Sequence, residues 1–302
     1  MNSLKVSFAG LTLSNPTMLA SGMMGETSGS LLRVAEAGAG AVVTKSIGSE
    51  PRPGYPNPTL VELEEGYINA MGLPNPGIVA FEEEMSAAHS CPVPIIGSIF
   101  ASSAKEFSHL AERMQSYGAS AIELNLSCPH AKGYGMEVGV DPEAVGAIVA
   151  AVKSKCKIPV FSKLTPNTHR LLEVGRAVQE AGGDAIVAIN TLRGMSISIE
   201  ARRPVLSNKG GGLSGPAVKA VGIRCVYDLS AILEIPIIGV GGVEDWRDAV
   251  EYIMAGASAV QIGSGIGRRG LGVFREITEG MTLFMGENGF ASVKDMMGVA
   301  HE

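Results

Sequence analysis

Short apolar runs alternate with amphipathic, helix-like segments from Pro16 almost to the end of this 302-residue chain. That rhythm limits the fold more than any other feature. Eight runs read as strands: PTMLAS (16–21), AVVTKS (41–46), PIIGSIF (94–100), AIELNLS (121–127), PVFSKLT (159–165), AIVAINT (185–191), PIIGVGG (236–242) and AVQIGSG (259–265). Each is short and nearly continuously apolar, as a parallel strand buried on both faces must be. The segments between them read as helices. AKEFSHLAERMQSYGA (104–119) spaces Phe107, Leu110, Ala111 and Met114 along one face. DPEAVGAIVAAVKSKC (141–156) opens with a capping Asp and a first-turn Pro. HRLLEVGRAVQEAGGD (169–184) ends in Gly-Gly, and DWRDAVEYIMAGA (245–257) opens on Asp245.

Eight such units in about 250 residues is the count of a (β/α)8 TIM barrel, with a doubly wound sheet as the rival. The stretches 48–92 and 193–215 are too long for single loops. Both follow strands, so they are expected as insertions at the barrel's C-terminal face. No linker or low-complexity tract interrupts the chain, so residues 1–302 are expected to form one domain. The net charge is −6 with no Lys/Arg block, which argues against nucleic acid and a polybasic membrane patch. No apolar stretch reaches the length of a membrane span, and the N-terminus lacks the pattern of a signal peptide. A cytoplasmic protein is expected. Cys91, Cys128, Cys156 and Cys225 are far apart with no CxxC pair, so no metal site or iron–sulfur cluster is expected within the chain.

In a barrel the C-terminal ends of the strands face the site. Read in order they carry Ser21, Lys45 with Ser46, Ser98, Asn125 with Cys128, Lys163, Asn190 with Thr191, Gly241 with Gly242, and Gly263 with Ser264. A lysine inside an apolar strand is costly unless it meets an anion, so Lys45 and Lys163 are expected to point at something negative. The glycines of GVGGV (239–243) and QIGSGIG (261–267), with GGGLSGPAV (210–218), suit close backbone approach to a phosphate. On the residues alone, Cys128 is either a buried thiol near a bend or a reactive group at a strand's edge.

Taken together, TKSIG (44–48), INAMGLPNPG (68–77), NLSCP (125–129), KLTPN (163–167), and INTLRG, RRPVL and GGLSGPA within 189–217 resemble the dihydroorotate dehydrogenases. The likeness is greatest to the class 1B catalytic subunits and covers nearly the whole chain. The resemblance implies FMN at the barrel mouth and oxidation of dihydroorotate to orotate in pyrimidine biosynthesis. It makes Cys128 the base that takes the C5 proton, while the C6 hydride passes to flavin N5. It places Lys163 by the flavin's N1 side and Lys45 against both flavin and substrate. Ser21, Ser46, Ser98, Asn125, Ile189, Gly215, Gly241, Gly242, Gly263 and Ser264 would complete the FMN site. Asn69, Ala70, Met71, Gly72, Leu73, Asn125, Asn190 and Thr191 would hold orotate. Gly133, Gly135 and Gly139 suit a hinged loop after Cys128.

Two positions depart from the family's pattern: His130 and Ser98 stand where Asn is common. The membrane-bound class of the family uses a serine base and has an N-terminal extension, which this chain lacks. A homodimer is implied, together with a separate subunit carrying FAD and an iron–sulfur cluster that passes electrons to NAD, giving a heterotetramer. The fumarate-using class 1A is not separated from this by the absence of a cysteine cluster. NLSCPH also resembles the dihydropyrimidine dehydrogenases, which act on uracil or thymine. A phosphate-binding lyase or isomerase barrel, or a non-catalytic flavin carrier, is the reading from another class.

Overall fold

The computed structural model describes residues 2–126 and 136–301. Its eight barrel strands are β1 (Thr17–Leu19), β2 (Ala41–Val43), β3 (Ile95–Ile99), β4 (Ala121–Asn125), β5 (Val160–Leu164), β6 (Ala185–Ala188), β7 (Ile237–Val240) and β8 (Ala257–Ile262). They pair in parallel, in sequence order, and close where β8 meets β1 through Val260 opposite Thr17 and Ile262 opposite Leu19. The barrel expectation holds, and the doubly wound alternative falls because the sheet has no open edge. Every one of these strands except the end of β4 at Asn125 is buried throughout. That explains why each reads as a nearly continuous apolar run.

Each strand is followed by a helix packed outside the barrel: α1 (Ser28–Glu36), α2 (Ile78–Ala87), α3 (Ala104–Ser116), α4 (Pro142–Lys153), α5 (Leu171–Glu180), α6 (Lys219–Ser230), α7 (Trp246–Met254) and α8 (Val273–Asn288). Their starts follow local chemistry. Asp141 accepts from the Glu143 amide ahead of Pro142, and Asp245 accepts from the amides of Arg247 and Asp248. Phe107, Leu110, Ala111 and Met114 are all buried, as their spacing requires. Before the barrel, strands Val6–Phe8 and Leu11–Leu13 form a hairpin against the N-terminal end of β5, with Phe8 and Phe161 rings 6.3 Å apart. That leaves the C-terminal end as the open face.

The two long insertions meet over that face. Strands Leu60–Leu63 and Gly66–Asn69 come from the first, and Leu192–Gly194 and Gly211–Ser214 from the second. They form one four-stranded antiparallel sheet in which Gly212 lies opposite Asn69 and Ser214 opposite Tyr67. Ile68, Ala70 and Leu206 give this lid a small core separate from the barrel's. No helix among the described residues is long and apolar enough to cross a membrane.

Candidate functional site

A cavity of about 520 Å³ opens at the barrel mouth beneath the lid. This size suits a cofactor with a small substrate. The barrel strands supply one wall. Ser21 follows β1, Lys45 and Ser46 follow β2, Asn125 ends β4 and Lys163 lies in β5. Their hydroxyls and amide form a chain. Ser46 Oγ lies 3.2 Å from Ser21 Oγ and 2.9 Å from Ser98 Oγ, and accepts from Asn125 Nδ2 at 3.1 Å. Ser98 is fully enclosed at the back of this chain, and its amide donates to Thr44 Oγ1 at 2.9 Å. Both lysines are more than nine-tenths buried, Lys45 at 8% and Lys163 at 6% exposure. Two ammonium groups that deep on one cavity suit an anionic or strongly polar ligand.

The floor is built from three strands. Lys163 Nζ donates to Gln261 Oε1 at 3.0 Å, and Gln261 Nε2 donates to Glu123 Oε2 at 2.6 Å. Glu123 Oε1 is 3.8 Å from Lys163 Nζ. Lys163 and Gln261 line the cavity, while Glu123 is fully enclosed beneath them.

The lid edge carries the amides. Asn69 Nδ2 donates to the Gly212 carbonyl at 3.2 Å, tying the two insertions together. A Cβ on Gly212 would sit 2.1 Å from Thr191 Oγ1, so only glycine lets the lid strand pass this close. Asn75 braces the loop that follows. Its Oδ1 accepts from the amides of Gly48 and Gly77, and its Nδ2 donates to the Leu73 carbonyl at 2.9 Å. Asn167 holds the strip after β6, donating to the Thr191 carbonyl and accepting from the Arg193 amide, both at 2.9 Å. Asn190 and Thr191 reach the cavity there.

The opposite end is backbone. Gly241 and Gly242 follow β7 with φ of 131° and 70°. A Cβ on Gly242 would lie 2.8 Å from both the Gly215 carbonyl and Lys219 Cβ. Gly263 precedes a short helix, Ser264–Arg269, whose first amides have no intrahelical acceptor. Tyr252, fully buried, donates its hydroxyl to the Gly241 carbonyl at 2.8 Å. Burial holds that phenol protonated well above its usual range, so it remains a donor.

Ser21, Lys45, Ser46, Asn125, Lys163, Ile189, Gly215, Gly241, Gly242, Gly263 and Ser264 all line the one cavity. So do Asn69, Met71, Gly72, Leu73, Asn190 and Thr191. Ser98 and Ala70 do not: Ser98 stands behind Ser46, and Ala70 packs into the lid core with Ile68 and Leu206. Cys128, His130, Gly133 and Gly135 lie outside the described residues. Gln261, Glu123, Asn75, Asn167 and Tyr67 escaped the sequence reading. A polar residue within an apolar strand was the signal used for the lysines, and it also marks Glu123 in AIELN and Gln261 in AVQIG.

The family model described as dihydroorotate dehydrogenase matches residues 3–285. A curated relative in Thermococcus kodakarensis, named dihydroorotate dehydrogenase B (NAD(+)), catalytic subunit, is 54% identical over 299 residues. The match covers 99% of this chain and 98% of that one. A protein of the same name in Methanocella arvoryzae is 53% identical over 292 residues, covering 97% and 96%. Among solved structures, the Eimeria tenella dihydroorotate dehydrogenase in complex with ferulenol superposes with a TM-score of 0.85 at 23% identity. The superposition covers 99% of this chain and 89% of that one, a likeness of fold.

Proposed function

The chain belongs to the dihydroorotate dehydrogenase family, and from that membership we propose that it oxidises dihydroorotate to orotate in pyrimidine biosynthesis with bound FMN. The observation that carries this reading is the cavity's division into two ends. Buried Lys163 and Gln261 form its floor beside the Asn125–Ser46–Ser21 chain, and a glycine-walled end lies at β7 and β8. The residues present fit a flavin phosphate: Gly215, Gly241, Gly242, Gly263 and Ser264 line that end of the cavity, and the first amides of Ser264–Arg269 have no intrahelical acceptor and can donate to an anion.

In this reading Gly215, Gly241, Gly242, Gly263 and Ser264 hold the phosphate end. Lys163, Ser21, Ser46, Asn125 and Ile189 hold the ring, with Ser98 supporting Ser46 from behind. Lys45 faces both ligands. Asn69, Met71, Gly72, Leu73, Asn125, Asn190 and Thr191 frame the pyrimidine, whose imide and carbonyl edge needs the donor and acceptor that a carboxamide combines. Ala70 supports that frame from the lid core. FMN, when bound, supplies the acceptor for the C6 hydride. Cys128 takes the C5 proton, so the substrate loses one proton and one hydride and gains the ring double bond. A free thiol is mostly protonated at neutral pH, and a base of this kind depends on being held against the proton it removes. The lid sheet positions the substrate and shuts out water.

Both relatives carry NAD(+) and "catalytic subunit" in their names. By extension, electrons leave this chain through a partner subunit with FAD and an iron–sulfur cluster, in a heterotetramer built on a homodimer, in the cytoplasm. Steady-state oxidation with an artificial electron acceptor tests the substrate assignment, with dihydroorotate and dihydrouracil assayed in parallel. Turnover of dihydroorotate alone is the expected result. Turnover of dihydrouracil alone would move the chain to a dihydropyrimidine dehydrogenase-like chemistry.

A further inference from the structure

The cavity floor contains a charge that the reaction above does not use. Glu123 faces the barrel interior one inward position below Asn125, with 0% exposure. Its Oε2 accepts from Gln261 Nε2 at 2.6 Å. Among the described residues its Oε1 takes no hydrogen bond, and it sits 3.8 Å from Lys163 Nζ. The Gln261 amide is locked between an ammonium donor and a carboxylate acceptor, so its oxygen must face Lys163 and its nitrogen Glu123. A neutral carboxamide at position 123 would also hold Gln261. What only the carboxylate adds is a negative charge beneath Lys163, at the desolvation cost of an enclosed ion.

We propose that Glu123 is a positioning residue: through Gln261 it fixes the Lys163 ammonium at the cavity floor, and its charge offsets the field that Lys163 presents to bound flavin. This rests on the flavin reading above. Reduced flavin is more negative than oxidised flavin, and a lysine with no counter-ion favours it more strongly. Glu123 therefore sets how far the site prefers the reduced form.

The test pairs Glu123→Gln with Lys163→Met and the double variant. In protein loaded with FMN, Glu123→Gln is expected to raise the preference for reduced over oxidised flavin about tenfold, a positive shift of about 30 mV in midpoint potential for a two-electron couple. An unchanged potential in folded, FMN-loaded Glu123→Gln protein would overturn the proposal. The apoproteins give a readout that needs no flavin. Each single variant strands one buried charge, so the double should melt higher than Lys163→Met alone. A double variant that melts no higher than Lys163→Met would overturn the pairing. If wild-type protein takes up no FMN, the flavin reading fails while the melting cycle still decides the pair.

Discussion

At the residue scale, burial holds back the three described thiols. Burial pushes Cys91 and Cys156 above the usual thiol range and Cys225 up to about 11. The thiolate is the reactive form, and at neutral pH burial leaves Cys225 roughly a hundredfold less of it than an exposed thiol holds. With Cys128 proposed as the base beside the substrate, an alkylating reagent at neutral pH is expected to modify it first in native protein, with orotate slowing it. Mass spectrometry after brief labelling reads this, and faster labelling at Cys225 would contradict it. Tyr252 offers a second residue-scale check. Tyr252→Phe orphans the Gly241 carbonyl, with an expected loss of about 1 kcal/mol in stability and severalfold weaker FMN binding. Denaturant unfolding and FMN titration measure the two. These residues also mark where sequence reading stopped. Lys45 and Lys163 stand out as cations in apolar strands. Glu123 and Gln261 stand out in the same way, but their meeting with Lys163 does not, because Glu123 and Gln261 lie 138 positions apart and come together only when the barrel closes.

The eight strands are readable from sequence because a strand buried on both faces is mostly apolar, and β1 to β8 all are, with a few polar positions such as Glu123, Lys163 and Gln261. The lid was legible only as excess length. Nothing local in 48–92 or 193–215 says that Asn69 pairs with Gly212, since that pairing spans 143 positions. Ala70 shows the same limit: strand alternation turns it into the lid core while its neighbours Asn69 and Met71 line the cavity. Two lid variants test this element. Gly212→Ala forces Thr191 away. It is expected to raise KM for dihydroorotate at least tenfold while leaving FMN affinity within about twofold, since ~1.4 kcal/mol is a factor of ten in binding. Leu206→Ala opens the small lid core, at a local cost of about 2–4 kcal/mol. It should weaken orotate binding more than FMN binding. Equal losses for both ligands, in either variant, would mean that the lid does not act separately from the barrel.

At the scale of the whole molecule, the barrel joins strands from both ends of the chain, since β1 pairs with β8. We propose that residues 1–302 form a single FMN-binding domain, so apoprotein should unfold in one transition by both circular dichroism and intrinsic fluorescence. Ligand linkage then localises the phosphate. FMN at about 100 times its Kd should stabilise the fold by ~2.7 kcal/mol. Riboflavin, which lacks the phosphate proposed to sit at Gly242 and Ser264, should give much less at equal concentration. An equal shift from riboflavin would contradict the phosphate end.

The most direct measurement of the central claim is anaerobic mixing of the FMN-loaded protein with dihydroorotate, followed through the flavin's visible absorbance. Rapid bleaching by dihydroorotate, none by dihydrouracil, and a loss of most of the rate in Cys128→Ser are the expected results. Protein that holds FMN and is bleached by neither compound would leave the barrel standing and contradict the proposed substrate.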